Sequence, residues 1–246
     1  MAEYPTYPNA PIIEAILDIH AFLPINVSLD QLRSLHARIQ DRYPEKQERI
    51  AIKSSFNLDF KEKRPITTGL SKIDGFLFRS SIEGKIVQSR LDGFTFNKLK
   101  PYESWILFSA EAKEMWNYYC ELVNPIKINR FSLRYINKII IPFNADIKDY
   151  FLTGPEIGNK LPQTFGSFFM RLEVPNEKID SVGLINIASQ PAEESGFPII
   201  FDIDVIRNIV ISSNDEKLWL YFEELREFKN VIFFESLTEK AKEMFS

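Results

Sequence analysis

The sequence predicts an α+β protein. Two tandem β-α-β-β-β-α units, 1–124 and 125–246, form one largely antiparallel sheet with long helices packed on one face. Three observations carry this reading. Residues 128–141 alternate strictly: Arg130, Ser132, Arg134 and Lys138 on one face, Phe131, Leu133, Tyr135, Ile139 and Ile141 on the other. Side chains of a strand alternate between faces, so this is a long half-buried strand with a basic outer stripe. Residues 12–23 alternate in the same way, and a similar order of patterns follows each of the two strands.

In the first unit, Ile13, Ala15, Leu17, Ile19, Ala21 and Leu23 share one face of the opening strand, and Glu14, Asp18 and His20 punctuate the other. The Pro-rich residues 1–11 before it read as extended. Ser28-Leu-Asp-Gln31 is a capping box, in which Ser accepts from a free backbone N–H and Gln reaches back. It opens a helix with Leu29, Leu32, His36, Ile39 and Tyr43 at helical spacing, closed by Pro44. Residues 49–60 read as a strand. Residues 76–82 and 85–98 read as a hairpin around Glu83-Gly84. A second helix spans 103–123 with Trp105, Phe108, Ala112, Trp116, Tyr119 and Val123 as its apolar stripe.

In the second unit, the strand at 128–141 precedes a short helix at 146–152, a hairpin of 166–174 with 180–190, and a strand at 197–206. Ser213-Asn-Asp-Glu216 reads as a capping box for a helix with Leu218, Tyr221, Phe222, Leu225 and Phe228 inward. Ser236-Leu-Thr-Glu239 reads as another, opening a terminal helix. Between them, Val231-Ile-Phe-Phe-Glu is an apolar run, either docked core or an interface with a second subunit. Helices covering one face of an antiparallel sheet is the usual solution for such an order of elements. By analogy of order alone, it is that of the TATA-box-binding protein fold.

Composition narrows the function classes. The chain has 246 residues, a net charge of -4 and a pI near 5.4. That balance argues against a protein whose main task is to grip phosphates. Its single cysteine, Cys120, suits a reducing compartment. No apolar run reaches the roughly 18–20 residues that span a bilayer, and the N-terminus carries no signal pattern. The chain therefore reads as cytoplasmic, with no membrane association. Twenty-one Phe against nine Gly predict a large aromatic core.

Catalytic motifs are scarce. The two histidines, His20 and His36, lie on different elements, whereas zinc sites cluster their ligands at short spacing. His36 reads as a satisfied core histidine and Cys120 as a buried structural thiol. No Gly-x-Ser-x-Gly elbow or phosphate-binding glycine loop occurs. Asp202-Ile-Asp204 places two carboxylates on one strand face; such a pair calls for a cation, either a divalent metal or a neighbouring arginine. The arginine is the simpler answer, so no metal and no cofactor are assigned. The charged sheet face is the candidate binding surface: Glu14, Asp18 and His20; Arg90; Arg130, Arg134 and Lys138; Arg171; Asp202 and Asp204. Read plainly it is a solvated surface with cross-strand ion pairs, Glu14 and Asp18 facing Arg130, Arg134 and Lys138, each pair contributing roughly 0.2–1 kcal/mol. Read functionally it is a charged platform. Tyr135, Phe94, Phe96 and Phe169 would supply stacking surfaces for bases, although alternation turns Tyr135 away from Arg134.

Several segments, taken as a set, resemble a patchily distributed prokaryotic family of about this length without an assigned function. They are Tyr7-Pro-Asn-Ala-Pro-Ile-Ile-Glu-Ala-Ile16, Leu91 to Trp105 (with Leu-Asp-Gly-Phe-Thr-Phe-Asn), Leu133-Arg-Tyr-Ile-Asn137, Asp149 to Glu156 and Phe233 to Lys240. The resemblance covers nearly the whole chain. It implies one architecture, supplies no catalytic residues, and points to mobile or defence gene clusters, where such families are often found. The resulting expectation is a non-enzymatic protein-interaction module, in a defence or toxin–antitoxin-like cassette, with a protein partner and a homo-oligomer as an option. The alternatives are a nucleic-acid binder using the sheet face and a metal-dependent enzyme centred on Asp202 and Asp204.

Overall fold

The structure, a computed structural model, describes residues 4–59, 64–143, 145–162 and 166–246, and for 52–59 and 64–70 it describes the backbone alone. The first three residues of the expected extended N-terminus, and Phe60 of the expected strand at 49–60, lie outside the described residues.

Strand β1 (Ile12–Phe22) turns Ala15, Leu17 and Ile19 fully inward. Both halves of the Ser28 capping box form at the start of helix α1 (Leu29–Ser34): Ser28 Oγ accepts from the Gln31 N–H at 3.3 Å, and Gln31 Oε1 accepts from the Ser28 N–H at 3.1 Å. The single helix expected from here to Tyr43 divides. The Leu35 N–H reaches back only three residues, to the Leu32 carbonyl, and the tightened turn separates α1 from the short α2 (His36–Ile39). His36 is held as expected of a core histidine, its Nε2 3.1 Å from the Tyr43 and Pro44 carbonyls and its ring stacked on Phe78.

Strands β2 (Glu45–Asp59), β3 (Arg64–Arg79), β4 (Lys85–Arg90) and β5 (Gly93–Leu99) follow. The expected arm at 85–98 is thus two strands, broken at Leu91-Asp92. Gly93 makes the break feasible: its φ is +146°, and a Cβ there would lie 2.0 Å from the Ile19 carbonyl oxygen. The first half therefore carries four strands after its helices, where the pattern predicted three.

Helix α3 (Trp105–Val123) is capped by Ser104. Then come β6 (Lys127–Ile141), a 3-10 turn at Ile147–Asp149 in place of the expected helix, β7 (Phe169–Asn176), β8 (Ser181–Ser189), β9 (Phe197–Arg207) and the short β10 (Ile211–Ser212). Helix α4 (Leu218–Ser236) starts without a side-chain cap. The Ser213 hydroxyl instead donates to the Pro125 carbonyl at 2.6 Å in a buried position. Thr238, not Ser236, caps α5 (Glu239–Glu243), accepting from the Ala241 N–H. The apolar run at Val231 lies within α4 rather than between helices, with Ile232 and Phe233 buried.

The strands form one antiparallel sheet in the order β2-β3-β4-β5-β1-β6-β9-β8-β7, with β10 added to β6. β1 is central, pairing Leu17 with Phe96 on one side and with Leu133 on the other. Following this register outward, Phe78, Val87, Phe96, Leu17, Leu133 and Val205 share one face. The helices cover that face. Phe96 meets Phe108 and Phe94 meets Trp116 of α3; Phe131 meets Phe222 and Phe201 meets Phe233 of α4, all with ring centroids 5.2–5.9 Å apart. Burying each such ring contributes about 1.5–3 kcal/mol, against ~0–1 kcal/mol for an exposed ion pair. The helix side therefore holds the sheet, and the charged side is carried by it. No helix among the described residues is long and apolar enough to cross a membrane.

Candidate functional site

The register places all ten charged candidates on the face away from the helices, but it does not pair them as the alternation suggested. Opposite Arg134 on β1 stands Ile16, not a carboxylate. The Arg134 guanidinium turns the other way, to β9. Its Nε and one terminal nitrogen donate to the two oxygens of Asp202 at 2.7 and 2.8 Å, and Asn186 donates to the same carboxylate at 3.1 Å. This fork-on-carboxylate geometry is the strong form of an ion pair, and Asp202 is only 5% exposed. The hydrogen bond to Asp202 raises the Arg134 pKa further. Asp204 is left with one buried oxygen lacking a partner. Burial raises its carboxyl pKa above the ordinary value, against the pull of Arg134, Ser132 and Arg130.

Asp18 pairs across β5 with Arg90 of β4 at 2.8 Å and accepts from the Thr95 hydroxyl at 2.6 Å. His20 Nε2 lies 3.1 Å from its other oxygen and 3.2 Å from Arg130. Burial alone would raise the Asp18 carboxyl; the hydrogen bond from His20, the Arg90 charge and Thr95 overcome it and hold the group well below the ordinary range. Glu14 accepts from Asn97, Lys138 donates to Glu193, and Arg171 lies near Glu173. The outer face is thus largely satisfied from within. Among the described residues, no group of three or more His, Cys, Asp or Glu is placed to hold a metal ion. The stacking surface expected from Tyr135, Phe94 and Phe96 does not form, because all three are buried under the helices; Phe169 alone lies on the outer face and is exposed.

The other notable arrangement lies on the helix side, where no candidate was placed. A cavity of about 240 Å³ opens between the N-terminal segment from Tyr4 to Ile12, the start of α3, β6 and the last turns of α4. Tyr4 stacks on Phe234 at 4.6 Å, Tyr7 packs on Phe234 and Phe245, and the Asn9 N–H donates to the Phe245 carbonyl, so the N-terminal segment forms one wall. Inside, the Tyr102 and Tyr135 hydroxyls share a hydrogen bond of 2.7 Å. The Trp105 indole N–H donates to Glu223 at 2.5 Å, and Arg226 sits over the Trp105 ring while its guanidinium lies 3.4 Å from Glu223.

Lys229 sits in the middle of this set. Its Nζ lies 4.2 Å above the Tyr135 ring and donates to the Asn230 side-chain carbonyl. The residue is half-buried and its ammonium is enclosed. No carboxylate among the described residues pairs with it. Burial, and then the nearby Arg226 charge, pull its pKa down to about 7. Burial likewise raises the Tyr135 and Tyr102 hydroxyls. One signal in the sequence marks this lysine: it follows Phe222 by seven residues and Leu225 by four, on the buried stripe of α4. Cys120, in contrast, has its thiol pushed up to about 12 by burial and then by Glu121, which makes it unreactive.

The Asp18 cluster makes a prediction about stability. A carboxyl held below its unfolded value near 3.9 contributes stability above that pH and loses it as pH falls further. Asp18→Asn should destabilise the protein by about 2–4 kcal/mol at pH 7 in urea unfolding. The gap to wild type should narrow as pH falls from 5 toward 2; a gap independent of pH would refute the pairing.

In comparisons with known proteins, no family model, no curated protein and no solved structure matches this chain.

Proposed function

We propose that this protein is a non-enzymatic binding module whose working site is the helix-side pocket around Lys229, and that its ligand is a small molecule. One observation carries the reading: an enclosed ammonium with no carboxylate paired to it among the described residues, in a cavity lined by aromatic rings. An unpaired buried charge costs stability, and enclosed apolar pockets with a few convergent polar groups and a displaced pKa are where ligands bind. The outer face offers less to a ligand, since its carboxylates and guanidiniums are mostly engaged with one another. That engagement also leaves the nucleic-acid and metal readings without a specific support.

A protein partner is a second reading, favoured by β7. This terminal strand pairs only with β8 among the described residues. Its Leu172 and Val174, on the helix side, are 38% and 36% exposed, and Phe169 on the other side is 70% exposed. An open apolar edge is a template for strand addition, and a second copy of this chain is the simplest partner. A cytosolic setting, which the lone cysteine suits, and a place in a defence cassette belong to this reading. The order of elements also favours two related units, because β1 and β6 meet at the centre and a long helix, α3 or α4, follows the strands of each half.

Two measurements separate these readings. The chain has three tryptophans, and only Trp105 lines the pocket. In ¹⁵N-indole NMR spectra, a panel of small aromatic acids, amides and amines should contain members that shift the Trp105 signal while leaving Trp116 and Trp219 in place. A panel that leaves Trp105 unmoved would end the small-molecule reading. Sedimentation should show a dimer that Val174→Lys returns to monomer if the β7 edge pairs copies; a monomeric wild type at high concentration removes that option.

A further inference from the structure

We infer that the pocket's ligand is a small aromatic carboxylic acid, its carboxylate held by Lys229 with Arg226 alongside and its ring packed among Trp105, Phe233 and Phe234. The inference rests on the small-molecule reading above and names the ligand's class.

The charge balance of the pocket selects an acid. Two cations of α4, Arg226 and Lys229, line it together with one carboxylate, Glu103, and a second carboxylate, Glu223, borders it through its contacts with Trp105 and Arg226. Both carboxylates are engaged elsewhere: Glu103 with Lys98 at 2.9 Å, Glu223 with the Trp105 N–H and Arg226. Among the described residues Lys229 is left with one neutral acceptor, Asn230. An ammonium has three hydrogens to give, so it can still receive two more acceptors. The tyrosine pair adds a donor. Two hydroxyl hydrogens are present, one is used between Tyr102 and Tyr135, and the other has no acceptor among the described residues. A carboxylate has two oxygens and is acceptor-only, which matches a lysine and a hydroxyl that both need acceptors.

The walls select the ring. Tyr4, Tyr7, Trp105, Phe233 and Phe234 line it, and a cavity of about 240 Å³ has room for one small ring system against these aromatic side chains. Asn137 does not compete for the acid, because its amide donates to the Phe201 carbonyl at 2.9 Å.

Binding then carries a proton signature. In the free protein Lys229 is about half charged near neutrality. A bound carboxylate opposes both causes of that depression, so the amine is charged in the complex. Above pH 7 the acid therefore binds with uptake of a proton, and affinity should fall toward tenfold per pH unit; below pH 7 it should level off. The other titratable groups lining the pocket are Arg226 from α4, Glu103 and Tyr102 before α3, Tyr135 from β6, and Tyr4 and Tyr7 from the N-terminal wall; Glu223 of α4 lies behind Trp105 and Arg226. The tyrosines are all raised above their ordinary value and do not titrate in this range. Neither histidine lines the pocket.

The test compares matched acids and amides: benzoate, phenylacetate and indole-3-acetate against their primary amides. Dissociation constants are read from the Trp105 indole signal at pH 6 to 9, in wild type and in Lys229→Met. Methionine replaces the amine by an apolar group of similar length, and the melting temperature checks its fold. At pH 6.5 an acid should bind at least tenfold tighter than its amide. Its affinity should weaken through pH 7–9 while the amide's stays constant, and Lys229→Met should erase the preference yet still take the amide. Amides that bind as well as acids, an acid affinity indifferent to pH, or a preference that survives Lys229→Met would each overturn the assignment. These failures differ from that of the underlying reading, in which neither acids, amides nor amines move Trp105.

Discussion

The antiparallel pairing of β1 with β6 is the constraint on which the rest depends. It joins the two halves of the chain and sets Leu17 opposite Leu133 at the centre of the sheet. Because side chains alternate, that register commits every inward residue of both strands to the helix side and every charged residue to the other. A slip of one residue would exchange the faces, putting Glu14, Asp18 and His20 under the helices. The aromatic contacts of α3 and α4 with the inner face make such a slip prohibitive. The pocket inherits its back wall from the same pairing, since Tyr135 stands directly opposite Ala15. A residue as small as alanine beside it leaves room for the ring.

The outer face and the pocket solve opposite electrostatic problems. On the outer face, charges on one strand are answered by opposite charges on other strands. Arg134 and Asp202, and Arg90 and Asp18, are engaged through several hydrogen bonds each, which offsets the cost of partial burial. The first pair joins the neighbouring strands β6 and β9, and the second reaches from β1 over β5 to β4. In the pocket no carboxylate among the described residues answers the charge of Lys229. Folding therefore retains an electrostatic cost there that a ligand of opposite charge can relieve.

What was legible in the sequence follows the range of each interaction. Alternation is a local property, so the faces of β1 and β6 were readable, as was the cap at Ser28, whose partner is three residues away. Pairing partners depend on strand order, which is not local. Arg134 was assigned to β1 carboxylates because nothing in the sequence places β9 on its other side. Ser213 has the pattern of a cap, yet the Pro125 carbonyl, far away in sequence, takes its hydroxyl. The break at Leu91-Asp92 was missed because a two-residue turn hides inside a continuous alternation. The pocket is built from four distant segments and could not be assembled from sequence. Its one trace, a lysine on an apolar helical stripe, reads equally as a snorkelling surface residue.

The pocket's chemistry turns on a Lys229 ammonium that is enclosed, with no carboxylate among the described residues paired to it. The most direct measurement is the titration of that single amine by NMR, in protein labelled with ¹³C at the lysine ε carbon, with Lys229→Met identifying its signal. The expected midpoint is about 7, more than three units below an ordinary lysine near 10.4. A midpoint at or above 10 would mean that water or a carboxylate reaches the amine, and would contradict its enclosure.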